Sequence, residues 1–284
     1  MTPTLVRQQR SRTGTVPRAD LRARARDWSE IQERMLVPLY EAVYGRLDVG
    51  PATRLLGLGC GSGLALLMAA SRGAAVTGVD TCADRLDLAR ERLLPEERQQ
   101  QAPAGARIVH GSPGDAARAD ASAYTLVTAF EPIGCRVGDA ERLAGLLAGA
   151  TPLAGRGAAV VLAGWGPPER CATASVLRVA AGPAEPPHGR DGWRPTDRDD
   201  LERVAERAGL RPDGSGRVAC PFGYADVDSA VRGLMSTGLF DPAVAAADRT
   251  QVGKELTEAL HPYVRPDGTV WMPNVFRYLI ARTV

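Results

Sequence analysis

Leu55-Leu56-Gly57-Leu58-Gly59-Cys60-Gly61-Ser62-Gly63 is the stretch on which the fold turns: an apolar strand running into a loop with a glycine at every second position. A helical run from Leu64 to Ala70 follows, then a second apolar strand, Val76-Thr77-Gly78-Val79, that ends in the carboxylate of Asp80. Strand, side-chain-free loop, helix and acid-terminated strand form the start of a nucleotide-binding βαβ unit. Glycines can take positive φ and let a ligand approach the backbone, while the amides opening the following helix favour an anionic group such as pyrophosphate or carboxylate. The pattern predicts a small adenosine-bearing ligand. A dinucleotide fingerprint, G-x-G-x-x-G, fails in both registers, because its third glycine would fall on Ser62 or on Leu64.

Outward from this unit, strands are expected at Arg54 to Gly57, Ala75 to Val79, Ala106 to His110, Leu126 to Phe130 and Ala158 to Ala163. Helices are expected at Gly63 to Ser71, Ala83 to Leu93 and Asp139 to Ala148, the alternation of a doubly wound parallel α/β sheet. On the N-terminal side, Trp28, Ile31, Met35, Leu36 and Leu39 recur at helical spacing between Leu21 and Arg46, so helices preface the core, with Pro38 interrupting or kinking them. Residues 1–18 are polar and Arg-rich and read as a mobile arm, or alternatively as a nucleic-acid-binding tail. After Pro167 the alternation stops for a proline- and glycine-rich segment through Thr196. A helix from Asp199 to Ala208, capped by Thr196 or Asp197, leads to a strand around Gly216 to Cys220. Helices at Ala225 to Met235 and Pro242 to Leu260 precede a closing strand within Thr269 to Arg282, expected at the sheet's edge. The chain thus divides into an arm (1–18) and one domain (19–284): preface helices over 19–50, a ligand-binding core over 51–166 and a substrate-side segment with closing strands over 167–284.

The G-x-G-x-G loop with an acid about twenty residues later resembles the first two motifs of class I S-adenosylmethionine-dependent methyltransferases. The resemblance covers nearly the whole chain from about Trp28 and is most specific between Leu55 and Phe130. It implies a Rossmann-like seven-stranded sheet whose last strand inserts antiparallel, with the helices before that strand covering the substrate. S-adenosyl-L-methionine is the cofactor it implies, with Gly59, Gly61 and Gly63 facing the amino-acid end, joined by Gly57 and Cys60 of the same loop. By the same resemblance Asp80 pairs with the ribose hydroxyls; the alternative for Asp80 is a cap on the next helix. Thr81 lies near the adenosine or is an ordinary turn residue. Ser112 and Pro113 stand where the family usually places an aspartate on the adenine amino group, with Asp115 as a substitute. Phe130 and Glu131 end the fourth strand, from which the family presents a residue to the methionine portion and the substrate. Three expected acids are absent, at Gly57, Ser112 and Thr125. Either backbone groups hold the cofactor, or the fold serves a reaction other than methyl transfer.

Candidate catalytic residues are Glu131 and His110, each able to take a proton from a phenol or hydroxyl acceptor; a solvated loop carboxylate is the alternative for Glu131. Trp28, Tyr40, Trp165 and Tyr224 are candidate substrate-binding residues, with core packing as their alternative. His261 reads as a surface or capping residue, and no cluster has metal-ligand spacing. Five cysteines without C-x-x-C spacing read as small reduced hydrophobes.

With 35 basic against 33 acidic residues the formal net charge is +2, which gives no strong field toward nucleic acid or membrane. Lys254 is the only lysine, so arginine abundance reflects coding bias rather than phosphate recognition. The 284 residues, 44% of them hydrophobic, suit one large globular domain without a membrane span or apolar leader, and a cytoplasmic location is expected. Ala129-Phe130-Glu131-Pro132 lacks the tetrapeptide pattern of base-amino methyltransferases, so a nucleic-acid substrate is not expected. The Trp165-Gly166-Pro167-Pro168 turn and the Asn274-Val275-Phe276-Arg277-Tyr278 strand resemble bacterial methyltransferases of specialised metabolism, including antibiotic biosynthesis. The resulting expectation is methyl transfer to a small secondary-metabolite acceptor by a monomer or homodimer. The alternatives are a same-fold enzyme performing cyclisation, elimination or rearrangement, and a non-catalytic pathway partner.

Overall fold

The computed structural model describes residues 18–94, 105–117, 123–181, 197 and 199–284. The expected arm lies outside them save for Arg18, which opens the first helix, α1 (Arg18–Asp27). A π turn (Trp28–Gln32) and a 3-10 turn (Glu33–Leu36) then lead into α2 (Val37–Arg46). Pro38 sits in the first turn of α2, where its missing N–H is no loss, so the change of helix type falls just before it. These two irregular turns bury Ser29, Gln32 and Glu33.

The core runs β1 (Arg54–Leu58), α3 (Leu64–Ala70), β2 (Ala75–Asp80), α4 (Ala83–Leu93), β3 (Arg107–His110), β4 (Tyr124–Ile133), α5 (Asp139–Ala150) and β5 (Ala154–Trp165). Next come α6 (Thr173–Leu177), α7 (Asp200–Arg207), β6 (Arg211–Ala219), β7 (Phe222–Tyr224), α8 (Val227–Ser236), α9 (Asp241–Ala246), α10 (Arg249–Leu260), β8 (Val270–Met272) and β9 (Val275–Arg282). Seven strands form one sheet in the order β3-β2-β1-β4-β5-β9-β6. β9 is antiparallel to both β5 and β6. The last strand therefore does not reach the edge as expected; it is inserted, and β6 holds the edge. The order reverses between β1 and β4, the switch point at which open α/β sheets bind ligands beyond their strand ends.

Successive residues face opposite sides: Leu55 joins a core beneath α2 and α3, Leu56 one beneath α5 and α7. Both faces are covered, which is why the central strands are apolar runs rather than alternating ones. β4 loses register with β5 between Ala129 and Ile133. That irregularity leaves Phe130 buried and Glu131 exposed at the strand's end.

Two long expected elements are divided. The closing strand breaks at Pro273 and Asn274, where proline cannot donate to a ladder and the Asn274 side chain turns inward to accept the Thr173 amide at 3.0 Å. The piece before the break pairs with β7 as a small second sheet that the sequence reading missed. The expected Pro242–Leu260 helix divides at Ala247, and Asp248 caps the second half by accepting from the Gln251 amide at 2.8 Å. Asp197 does not cap α7 with its side chain; its amide donates to Asp200 at 2.9 Å, and Thr196 lies outside the described residues. Among the described residues no helix is long and apolar enough to cross a membrane.

Gly57 and Gly78 are neighbours in the β1–β2 register, and Leu66 of α3 fills the space both leave. A Cβ on Gly57 would stand 2.9 Å from Leu66 Cδ2, and one on Gly78 would stand 2.8 Å from Cys60 Sγ and in collision with Leu66. Gly78→Ala is expected to lower the unfolding free energy by about 1–3 kcal/mol through overpacking. In urea titrations the Gly78→Ala/Leu66→Ala double variant should lose less than the two single losses combined, and strict additivity would refute the wedge.

Candidate active site

Gly59, Gly61 and Gly63 all adopt left-handed φ, 59°, 56° and 80°, so the loop after β1 reverses twice before α3. The Cys60 amide donates to the Val79 carbonyl at 3.1 Å, laying the loop against β2. Asp80 completes the attachment: one carboxylate oxygen accepts the Gly61 amide and the other the Cys82 amide, each at 2.8 Å. Cys82, not Asp80, holds the N-cap position of α4. Two amides occupy only part of the carboxylate's acceptor capacity, and Asp80 borders the crevice with lone pairs left for a ligand. Burial, with the Asp80 and Glu33 carboxylates nearby, pushes the Cys60 thiol up, so it serves as a small neutral side chain.

A crevice of about 840 Å³ opens above this loop, large enough for a nucleoside-sized ligand. Its floor is Leu58 and Gly59, one wall is Asp80 to Arg85, and α1 contributes Leu21, Arg24 and Ala25 from above. Gly111 and Pro113 close the end beyond Asp80. Ser112 does not offer its hydroxyl to the crevice. Its amide and hydroxyl both donate to Asp115, at 2.7 and 2.8 Å, and hold that carboxyl below the usual carboxylate range. Asp115 is thereby held on its own turn through Oδ2, and neither it nor Ser112 borders the crevice. His110 is exposed at the end of the edge strand β3, its Nε2 3.0 Å from the Thr81 carbonyl. It does not line the crevice, and three strand positions separate it from β4. The structure does not bring His110 and Glu131 together.

Glu131 stands at the other end. A Cβ on Gly59 would lie 3.5 Å from its Oε2. It borders the main crevice and two smaller spaces, of about 40 Å³ toward Trp28, Tyr40 and Phe130 and about 70 Å³ toward Cys135, Arg136 and Leu143. Phe130 is buried behind it, with Tyr40 and Tyr44 ring centroids at 4.8 and 5.7 Å. Burial foremost raises the Tyr40 hydroxyl well above its ordinary value, so it stays protonated. Trp165 and Tyr224, expected near substrate, are buried and do not border this crevice; Trp165 borders a separate space of about 700 Å³ with Pro167 and Arg277. Trp165 packs on Phe276 and Phe222 with centroids at 4.5 and 5.9 Å, and the Tyr224 hydroxyl donates to Gln32 at 3.0 Å in the interior.

The sequence reading missed a buried polar cluster that clamps the N-terminal segment onto the loop. Glu33, 2% exposed, accepts from the Ser62 hydroxyl and from Arg92 Nη1 at 2.8 Å. Arg92 also donates to the Ser29 hydroxyl at 2.8 Å and to the Ser62 carbonyl at 2.8 Å. Beside it the Arg85 guanidinium lies 4.1 Å from the Trp28 ring centroid. Ser29 and Glu33 are four residues apart within the apolar run, a signal available in the sequence but masked by the surrounding hydrophobic residues.

Residues 56–131 match the family model of a methyltransferase domain. No curated protein sequence matches the chain. Many solved structures share its fold. A SAM-dependent methyltransferase from Thiobacillus denitrificans, in complex with S-adenosyl-L-homocysteine, is 16% identical over 95% of this chain and 100% of its own, with a TM-score of 0.53. The YcgJ protein of Bacillus subtilis is 11% identical over 86% and 97%, with a TM-score of 0.51. The [4+2]-cyclase SpnF is 14% identical over 86% and 79%, also with a TM-score of 0.51. These likenesses are likenesses of fold.

In Ser112→Ala the backbone bond to Asp115 remains and the hydroxyl bond is lost, so the Asp115 pKa should rise partway toward its ordinary value in an NMR titration. Because the folded value is depressed, the stabilisation it brings is present above the ordinary carboxylate pKa and disappears as pH falls through the folded value. An unmoved titration would overturn the assignment of the hydroxyl bond.

Proposed function

We propose that this chain, which matches a methyltransferase-domain model over residues 56–131 and has the sheet order of the class I fold, binds S-adenosyl-L-methionine and transfers its methyl group to a small-molecule acceptor of the secondary-metabolite class. The observation that carries the reading is one continuous crevice, floored by the glycine loop, with Asp80 on its wall and Glu131 at its far end. The residues present fit the cofactor. The loop's Cβ positions are closed to any side chain at Gly61 and Gly63, and the Trp28 indole N–H is buried without an acceptor beside Gly61.

When bound, the cofactor supplies an electrophilic methyl group on its sulfonium. Asp80 would accept the ribose hydroxyls on the lone pairs that the Gly61 and Cys82 amides leave free. Gly111 and Pro113, which border the crevice beyond Asp80, would flank the adenine without offering it a carboxylate. Glu131 would orient an acceptor's hydroxyl or amine and take its proton, while α1 shields the crevice from water. Holding two reactants in line is worth on the order of 7–11 kcal/mol, so positioning carries most of the rate and the base is an addition to it.

A second reading has a specific motive. Acids are absent at Gly57, Ser112 and Thr125, and a cyclase shares the fold, so the same crevice would serve cyclisation or another rearrangement with the cofactor retained.

Calorimetry with S-adenosyl-L-methionine and S-adenosyl-L-homocysteine is expected to detect both, and Asp80→Ala to weaken both at least tenfold, the scale of a lost charge-assisted hydrogen bond. Absence of binding by the wild-type chain would sink the proposal and favour a non-catalytic partner. With methyl-labelled cofactor and a panel of small hydroxyl, amine and carbon acceptors, Glu131→Gln should cut turnover about 100-fold while homocysteine-product affinity stays within about twofold. Binding without label transfer to any acceptor would favour the second reading.

A further inference from the structure

We infer that the N-terminal segment, not β1, receives the amino-acid end of the cofactor, with the Glu33 carboxylate taking the ammonium and the Trp28 indole N–H donating to the carboxylate. This rests on the cofactor reading above and deepens it.

The sequence has no acid at position 57, and packing has filled the place where its side chain would stand. At position 57 a side chain would meet Leu66 Cδ2 at 2.9 Å, so the space for a carboxylate there is occupied by hydrocarbon. On the opposite side of the loop two polar atoms converge: Trp28 Nε1 and Glu33 Oε1 lie 3.0 and 3.2 Å from the point where a Cβ on Gly61 would stand. Both residues border the space of about 40 Å³ that continues the crevice past Gly59 and Glu131. That volume holds about three water-sized groups, the scale of an ammonium and a carboxylate.

The two oxygens of Glu33 are unequally used. Oε2 accepts the Ser62 hydroxyl and Arg92 Nη1, whereas Oε1 has only the Leu64 amide at 3.4 Å. Oε1 therefore keeps acceptor capacity facing the glycine loop. Trp28 Nε1 is the complementary case, a buried donor with no partner. Arg85, stacked on the Trp28 ring, borders the same space and adds positive charge on the donor side. A carboxylate acceptor on one side, and a neutral indole donor beside the Arg85 cation on the other, match the two ends of a zwitterion across one small space. Gly61 must be glycine because its Cβ would fall between them.

The test compares three ligands by calorimetry: S-adenosyl-L-homocysteine, its analogue lacking the amino group, and 5'-methylthioadenosine, which ends at the sulfur. Wild-type protein should bind the first at least tenfold more tightly than the other two. Glu33→Gln should remove about tenfold from S-adenosyl-L-homocysteine and leave methylthioadenosine within about twofold. Trp28→Phe should weaken the first ligand severalfold and spare methylthioadenosine, and it carries the test if Glu33→Gln fails to fold. Equal affinity of the wild type for all three ligands, or parallel losses for the homocysteine and methylthio compounds in either variant, would overturn the inference and leave the cofactor reading standing. Failure of the wild type to bind any of them would instead remove the cofactor reading itself.

Discussion

The carboxylate of Asp80 holds together everything that faces the crevice. It takes the Gly61 amide on one oxygen and the Cys82 amide on the other, so β2 ends by fastening the loop from β1 to the start of α4. The Gly61 amide is presented to the carboxylate by a loop in which three alternating glycines adopt left-handed backbone, which side chains resist. Without the carboxylate, two amides at the switch point of the sheet would lose their acceptors, and the loop would lose the tie that sets its curvature. The same group is then both scaffold and ligand-facing surface.

Packing around this loop trades one polar contact for another. Gly57 and Gly78 lie side by side in β1 and β2, and Leu66 occupies the room they vacate. The strand thereby offers no side chain to the crevice at that point and gains hydrophobic contact with α3. On the loop's other side the π and 3-10 turns carry Ser29 and Glu33 inward to meet Ser62 and Arg92. A buried ion pair is a poor source of net stability but a strong determinant of geometry, since either charge alone would be costly. Here it fixes the N-terminal segment over the crevice. The segment is therefore part of the site rather than a preface to it.

At the far end, the irregularity in β4 separates the fates of adjacent residues: Phe130 goes into the core against Tyr40 and Tyr44, while Glu131 emerges where three spaces meet. One residue of strand register decides which is buried in the core and which borders the crevice. The aromatic residues of the C-terminal third have the opposite outcome. Trp165, Phe222 and Phe276 stack on one another because the inserted β9 and the small second sheet bring them together. They stabilise the cover instead of lining the crevice.

What was legible in the chain was local. Glycine spacing, apolar strands of four to six residues and an acid at a strand end are short-range signals, and they placed the loop, Asp80, the alternating core and the end of β4 because neighbours in sequence make those structures. The resemblance to class I methyltransferases likewise marked Gly57, Ser112 and Thr125 as places where that family carries acids and this sequence does not. Long-range contacts settled the remainder. The surroundings of Trp165 depend on a strand more than 100 residues later and those of Tyr224 on Gln32 in the N-terminal segment, while the direction of the Ser112 hydroxyl depends on the turn that Asp115 closes. The insertion of β9, the break at Pro273 and the approach of Glu33 to Ser62 each bring together residues distant along the chain. The sequence alone determined that a side-chain-free bend and a carboxylate would meet; only tertiary packing decided which other charges would be buried beside them, because that choice depends on what each side chain displaces in three dimensions.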